Sequence, residues 1–363
     1  MSRIDDLITK LCPHGVRYRS LSESSVAHFR TGAQLNRSEL SDSGEFPVYN
    51  GGVASSGRHS VANAVGPAII VSQGGASAGY VNFIVSPFWA GAHCYVVTPG
   101  DEIEQRFLYF ALKAKQRQIQ GSALGAGIPG LSRTALGAVK IPVPPREVQN
   151  EVVRVLDRFT ALEAELEAEL EARRLQYEHY RRRLLHLPSA PKVAISELVH
   201  GVPSGRNKSR VEEGRYPVYG STGQIGTTNE PVYNSDALLI ARVGANAGRV
   251  NSVSGEYDVS DNTLILNPKP DWNVRFAFHQ LTAMNLNQYA VGGGQPLITG
   301  RLLKSLEVAL PTSAEQQELA AVLDKFDALV NDMSVGLPAE LAARRKQYEY
   351  YRDKLLTFPE AAS

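Results

Sequence analysis

Cysteine, methionine and tryptophan are all scarce in this chain: two, three and two among 363 residues. Cys12 and Cys94 stand far apart, in no disulfide, zinc-ligand or redox spacing, which suits a reducing, cytoplasmic setting. No apolar run reaches membrane-spanning length and the first residues do not read as a secretory leader, so the expectation is a cytoplasmic chain without membrane contact. Charge of one sign is also lacking, with 38 basic against 37 acidic residues, and gives no global pull toward nucleic acid. Catalytic signatures are missing too. There is no HExxH pair, no dinucleotide-type GxGxxG after a strand and no Asn-Pro-Pro-aromatic base pocket. Gly201–Ser209 resembles a phosphate loop, but Arg206-Asn207 separate Gly205 from Lys208. The chain is therefore expected to be no enzyme by itself, with no catalytic residue, cofactor or metal.

What the chain does have is duplication. Val155-Leu156-Asp157-Arg158-Phe159 returns as Val322-Leu323-Asp324-Lys325-Phe326, a shift of 167 (322 − 155). Ala172-Arg173-Arg174 returns as Ala343-Arg344-Arg345, a shift of 171 (343 − 172), so the second copy is four residues longer. In the first copy Val152, Leu156, Phe159, Leu166, Leu170, Tyr177, Tyr180 and Leu184 alternate at steps of three and four, the heptad signature of a helical seam. Only Glu163 and Arg173 interrupt it. The second copy offers Leu319, Leu323, Phe326, Val330, Met333, Leu341, Tyr348, Tyr351 and Leu355, with a break expected at Gly336-Leu337-Pro338. On the helices alone, a coiled coil that merely dimerises something is an equally good reading.

The blocks between the helices are diverged copies as well. Phe46-Pro47-Val48-Tyr49 matches Tyr216-Pro217-Val218-Tyr219, and Gly75-Ala76-Ser77-Ala78-Gly79 matches Gly244-Ala245-Asn246-Ala247-Gly248. The organisation this implies is an N-terminal helix (1–15), a first block (16–145), a first long helix (146–187), a second block (188–311) and a second long helix (312–363). Ser2 is expected to cap the first helix. The runs 67–72, 94–97, 237–241 and 263–266 are apolar, β-branched and bounded by Gly, Pro or Asn, which favours buried strands. Helical spacing occupies 107–120 and 274–287. Each block is read as a small α/β domain with one curved sheet and one or two helices.

Two glycine-rich turns follow the buried strands: Gln73–Asn82 and Arg242–Asn251. Small residues allow close backbone approach, while Gln73 and Ser77 in one copy and Arg242, Asn246 and Arg249 in the other present polar groups suited to base edges or phosphates. A tight hairpin whose glycines serve only positive φ is the commoner use of such a sequence. A second pair of loops carries Asn50, Arg58 and His59 against Ser221 and Gln224. Tyr49 and Tyr219 precede them and suit either phosphate contact or the core. Arg133 and Arg301 lie just beyond two further Gly-rich loops as phosphate candidates. Residues 16–145 carry 11 basic and 7 acidic residues (+4), so nucleic-acid affinity would sit in the blocks.

The Pro-Val-Tyr entry to each block, the Ile141-Pro142-Val143-Pro144-Pro145 exit toward Gln149, and Ala-Arg-Arg-Lys-Gln-Tyr-Glu-Tyr-Tyr-Arg-Asp-Lys-Leu-Leu at 343–356 together resemble the DNA specificity subunits of type I restriction–modification systems. The resemblance covers nearly the whole chain. It implies two pseudo-symmetric, strand-rich α/β target recognition domains joined by two long antiparallel coiled-coil helices. Each domain would read one half of a split double-stranded DNA site. The helices would act as spacer and as docking surface for two methyltransferase subunits, with Leu156, Phe159, Leu166, Leu323, Phe326 and Tyr348 in the seam. A motor-nuclease restriction subunit would join through the complex. The alternatives are a modification-only system and a coiled-coil scaffold presenting two modules that bind something other than DNA.

Overall fold

The apolar runs become buried strands, and the rest of each block is arranged around them. The computed structural model describes residues 3–125, 127, 129–292 and 294–361; Ser2, the expected cap of the first helix, lies outside these. The chain divides into two compact units, residues 1–165 with 342–363, and residues 166–341.

Unit 1 opens with helix α1 (Arg3–Leu11), followed by strands β1 (Tyr18–Ser20), β2 (Ala27–Thr31), β3 (Phe46–Tyr49), β4 (Gly57–His59), β5 (Ala68–Ser72), β6 (Val81–Ile84), β7 (Trp89–Ala90) and β8 (Cys94–Pro99). Helices α2 (Gln105–Ala114), α3 (Gln116–Gly121) and α4 (Arg133–Gly137) and strand β9 (Lys140–Pro142) lead into α5 (Arg146–Leu184). The expected single curved sheet is instead three small ones, ordered β2-β8-β5-β6, β4-β3-β7 and β1-β9. Alternation explains the split. Ile69, Val71 and Val97 face one core with Phe107 and Phe110, while Ile70 and Val96 face a second with Phe88, so β5 is buried on both sides. The chain end returns to this unit: Val16 N–H donates to Pro359 O (2.8 Å), Ala361 N–H donates to Val16 O (3.1 Å), and Val143 N–H donates to Arg17 O (2.9 Å).

Unit 2 repeats the plan with β10 (Lys192–Ala194), α6 (Ile195–Leu198), β11 (Tyr216–Gly220), β12 (Gly223–Thr228), β13 (Tyr233–Asn234), β14 (Ala237–Ala241), β15 (Val250–Val253), β16 (Glu256–Val259) and β17 (Thr263–Leu266). Helices α7 (Val274–Ala283) and α8 (Gly300–Ser305), strand β18 (Glu307–Ala309) and helices α9 (Ser313–Asn331) and α10 (Leu337–Leu355) complete the chain. Its sheets are β12-β11-β16-β13, β15-β14-β17 and β10-β18. The second long copy is thus two helices. The break falls where Gly-Leu-Pro placed it, and Met333, expected in the seam, lies in the intervening turn at 70% exposure.

Each block is clamped to its helix by one buried glutamine. Gln149 accepts from Glu104 N–H (2.7 Å) and donates to the carbonyls of Glu102 and Pro144 (both 2.8 Å). Gln316 accepts from Asn273 N–H (2.8 Å) and donates to Asp271 O (3.0 Å) and Pro311 O (2.9 Å). Only a side-chain amide of this length supplies one acceptor and two donors without a charge, which explains the Pro-to-Gln exit of both blocks. Nearby, Arg106 pairs with Asp157 as Arg275 pairs with Asp324.

The helical seam is built the same way in both units. In unit 1, Leu156 belongs to the block core beside Phe107 and Leu356, while Phe159 stacks on Tyr351 (5.5 Å) and touches Tyr348 (6.5 Å). Glu163, an interruption in the heptads, meets Arg345 at 2.7 Å, so the two segments run antiparallel. In unit 2, Leu323 packs with Leu170, Tyr177 and Val330, with Leu166 at the edge, and Phe326 stacks on Tyr177 (6.4 Å) and Tyr180 (5.9 Å). By the repeat shifts, Phe159 corresponds to Phe326 and Tyr348 to Tyr177. The first half of one copy therefore pairs with the second half of the other in each unit. Unit 2 adds a polar inset. His279, fully buried where unit 1 has Phe110, meets Asp324 (2.7 Å) and Tyr177 Oη (3.2 Å), and Tyr177 donates to Asp327 (3.2 Å). Burial pulls the His279 pKa down despite the bond to Asp324. Among the described residues, no helix is long and apolar enough to cross a membrane.

Candidate nucleic-acid interface

The two glycine-rich turns have one main-chain design. Ser72 N–H donates to Tyr80 O (3.0 Å) and Gly79 N–H to Ser72 O (2.8 Å); the counterparts are Ala241 to Arg249 (2.9 Å) and Gly248 to Ala241 (2.8 Å). Each turn is also pinned to a second loop. Gly75 N–H donates to Pro129 O (2.9 Å) and Leu131 N–H to Gln73 O (2.7 Å), as Gly244 does to Pro296 (3.0 Å) and Ile298 to Arg242 (2.8 Å). A third segment holds the other side: Gln73 N–H donates to His93 O (2.8 Å) and Arg242 N–H to Asn262 O (2.9 Å). Gly75 and Gly244 both take φ +77°, where a side chain is strained, and a Cβ at either would meet none of the described residues within 4 Å. The glycines are required by conformation and not by crowding from the described residues.

The side chains on this scaffold differ between units. Gln73 and Arg242 are partly buried and have no side-chain hydrogen-bond partner among the described residues; Ser77 and Asn246 also lack one, and Arg249 is exposed. Asn50 joins the tip of unit 1 through its side-chain Oδ1, which accepts from His93 N–H (3.2 Å). Beneath that tip Lys113 lies over the Tyr80 ring (4.2 Å) and donates to Val81 O, and burial lowers its pKa to about 8. The other expected residues lie apart. Tyr49 and Tyr219 pack edge-on to Phe88 (5.9 Å) and Tyr257 (6.0 Å) as parts of the cores. Arg58 is engaged with the carbonyls of Gly44 and Glu45, and His59 packs against Trp89 (5.0 Å) on the same strand β4. Arg133 donates to Phe29 O (3.0 Å) at the start of α4. Ser221 lies in the β11–β12 turn and Gln224 on β12 opposite Tyr219, where its side chain reaches Gly226 O (3.5 Å). Arg301 is exposed on α8.

Sequence reasoning passed over His93 and Asn262, whose carbonyls anchor the two variable positions. The available signal was their shared place one residue before a buried strand, Cys94–Pro99 or Thr263–Leu266. Among the described residues, no group of three His, Cys, Asp or Glu could hold a metal ion. The site offers donors and acceptors on a scaffold fixed by main-chain hydrogen bonds, an arrangement suited to recognition.

Comparison with known proteins gives the same picture. The type I restriction modification DNA specificity domain matches twice, over residues 16–172 and 197–343. The EcoprrI specificity subunit of Escherichia coli is 35% identical over 205 residues, 52% of this chain and 50% of that one. The chain thus spans about half of that relative. A putative type I specificity subunit of Mycoplasma pneumoniae is 28% identical over 365 residues, covering 95% of this chain and 99% of its own length. The crystal structure of a type I S subunit from M. genitalium shares the fold, with TM-score 0.63 and 21% identity over 94% of this chain and 96% of that one. With two specificity-domain matches that follow its internal repeat, the chain belongs to the type I restriction modification DNA specificity domain family.

Proposed function

We propose that this chain is the DNA specificity subunit of a type I restriction–modification complex, each unit reading one half of a bipartite duplex site through its glycine-rich tip. One observation carries the reading: a single main-chain scaffold occurs twice in one chain and presents different polar side chains. That is the arrangement expected of two readers of different base sequences. The +4 balance of the first block and the exposed Arg249 and Arg301 supply modest attraction for phosphates, the remainder of the grip coming from partners. Those partners are methyltransferase subunits docked on the helices and, through them, a restriction subunit; catalysis belongs to them. Helix α5, which contributes residues to both units, sets the number of unread bases between the half-sites.

The test is methylation mapping with a chimaera. Replacing residues 16–145 by the equivalent block of another specificity subunit is expected to change one half-site and leave the other intact. A chimaera that alters both half-sites, or a native complex that leaves no sequence-specific mark on duplex DNA, refutes the reading.

A further inference from the structure

Among polar side chains at the two tips, those at the first position after the central strand are the most tightly placed. Gln73 follows β5 and Arg242 follows β14, and each has both main-chain polar groups fixed by other segments. The N–H is held by His93 or Asn262 and the carbonyl by Leu131 or Ile298. The side chain is partly buried, with no hydrogen-bond partner among the described residues, two positions before a glycine at which a Cβ would meet none of them within 4 Å. Equal bonds on both sides show that the backbone there does not depend on which side chain it carries. Such a position satisfies what a base reader needs: a locked origin, a side chain restricted by partial burial, and polar groups that no described residue engages.

The chemistry of the two side chains then differs in a definite way. A guanidinium offers two parallel donors, matched to the O6 and N7 acceptors of guanine in the major groove. A glutamine amide offers one donor and one acceptor, matched to N7 and the N6 amino group of adenine. We propose that Arg242 specifies a guanine in the half-site read by unit 2 and Gln73 an adenine in the half-site read by unit 1. The assignment rests on the DNA-reading function above and adds to it the identity of one base in each half.

The reciprocal variants Arg242→Gln and Gln73→Arg test it, each carrying a side chain that the same backbone already bears in the other unit. Each variant, in complex with the native methyltransferase partner, is selected against a randomised duplex library at two salt concentrations. Arg242→Gln is expected to shift one position of the second half-site from guanine to adenine, by about ten- to a hundredfold in relative affinity, with the first half-site unchanged. Gln73→Arg is expected to do the converse in the first half-site. Uniform weakening across all sequences, with a salt dependence reduced by about one phosphate contact, would make Arg242 a backbone contact and overturn the assignment. Unchanged base preference in both variants would overturn it as well. A wild-type complex with no sequence preference at any position would remove the DNA-reading function itself, and this assignment with it.

Discussion

Replacing Gln149 by methionine is the most informative single perturbation of the scaffold. The side chain is fully buried, and its amide is, among the described residues, the only partner for Glu104 N–H and a shared donor to two carbonyls. Methionine keeps the length and adds apolar contact but supplies no hydrogen bond. An orphaned buried polar group costs about 1–3 kcal/mol, and the carbonyls, each with a second lone pair, fall at the low end of that range. Allowing about 1 kcal/mol back for the thioether, the net loss is about 2–4 kcal/mol, a large part of the roughly 5–15 kcal/mol by which a domain is stable. With a urea slope of about 2 kcal/mol per molar, the midpoint should fall by about 1–2 M. The assay is built in, because Trp89 lies in unit 1 and Trp272 in unit 2, so tryptophan fluorescence in single-Trp backgrounds separates the two transitions. Gln149→Met should move the Trp89 transition and Gln316→Met the Trp272 transition. A shift below about 0.5 M in both would show that the glutamines are not the clamp.

Other expectations concern the seam, the inset and the helix length. Phe159→Asp places a charge against Tyr348 and Tyr351 and should destabilise unit 1 by a few kcal/mol, about as much as Phe326→Asp destabilises unit 2; wild-type melting in either variant contradicts the aromatic seam. His279 is held neutral, its pKa below the unfolded value of about 6.5, so its contribution is present above that pH and is lost as pH falls through the lowered folded value. The wild-type chain should lose stability on going from about pH 7.5 to about pH 5.5 more steeply than His279→Phe, which borrows the residue of unit 1; equal slopes in thermal melts would refute this. Inserting one Leu-Glu-Ala-Glu unit after Glu165 lengthens α5 by about 6 Å and turns its continuation by about 40°. Methylation mapping should then show one or two added spacer base pairs with both half-sites unchanged, and an unchanged spacer means that α5 does not set it.

The repeats, the buried strands and the helix break were legible in the sequence because each leaves a local mark: period, an apolar run, or Gly-Leu-Pro. The division of each block into three sheets was not. It depends on β5 and β14 being buried on both faces, and a continuous apolar run does not say which neighbours cover which side. For the candidate interface, the tip residues Gln73 and Arg242 were legible because a repeat with changed polar residues stands out. The states of Arg58 and Arg133 were not, since a surface arginine that bonds a distant carbonyl, Gly44 O or Phe29 O, looks in sequence like one that is free. Tyr49 and Tyr219 followed the commoner rule for a strand tyrosine and went into the core. The exchange of helix halves was hidden for a different reason. Two copies of one pattern satisfy the same heptads whether each pairs with itself or with the other, and only contacts such as Phe159 with Tyr351 decide.

The pairing of Val16 with Pro359 and Ala361 has a topological consequence. In unit 2 the segment 187–191 carries the chain from α5 to β10 without interruption, and Leu310 N–H bonds Pro191 O as Val143 N–H bonds Arg17 O in unit 1. The same junction in unit 1 is assembled from two separate strands of chain, one arriving from α10 and one departing toward β1. Both units thus close this junction with the same strand-to-strand bond, one with the chain running through it and the other with two segments held by main-chain hydrogen bonds. A permuted chain opened at 188–190 and joined from Ser363 to Met1 would present the same two tips in reversed order along the polypeptide, and by this logic would recognise the same bipartite site.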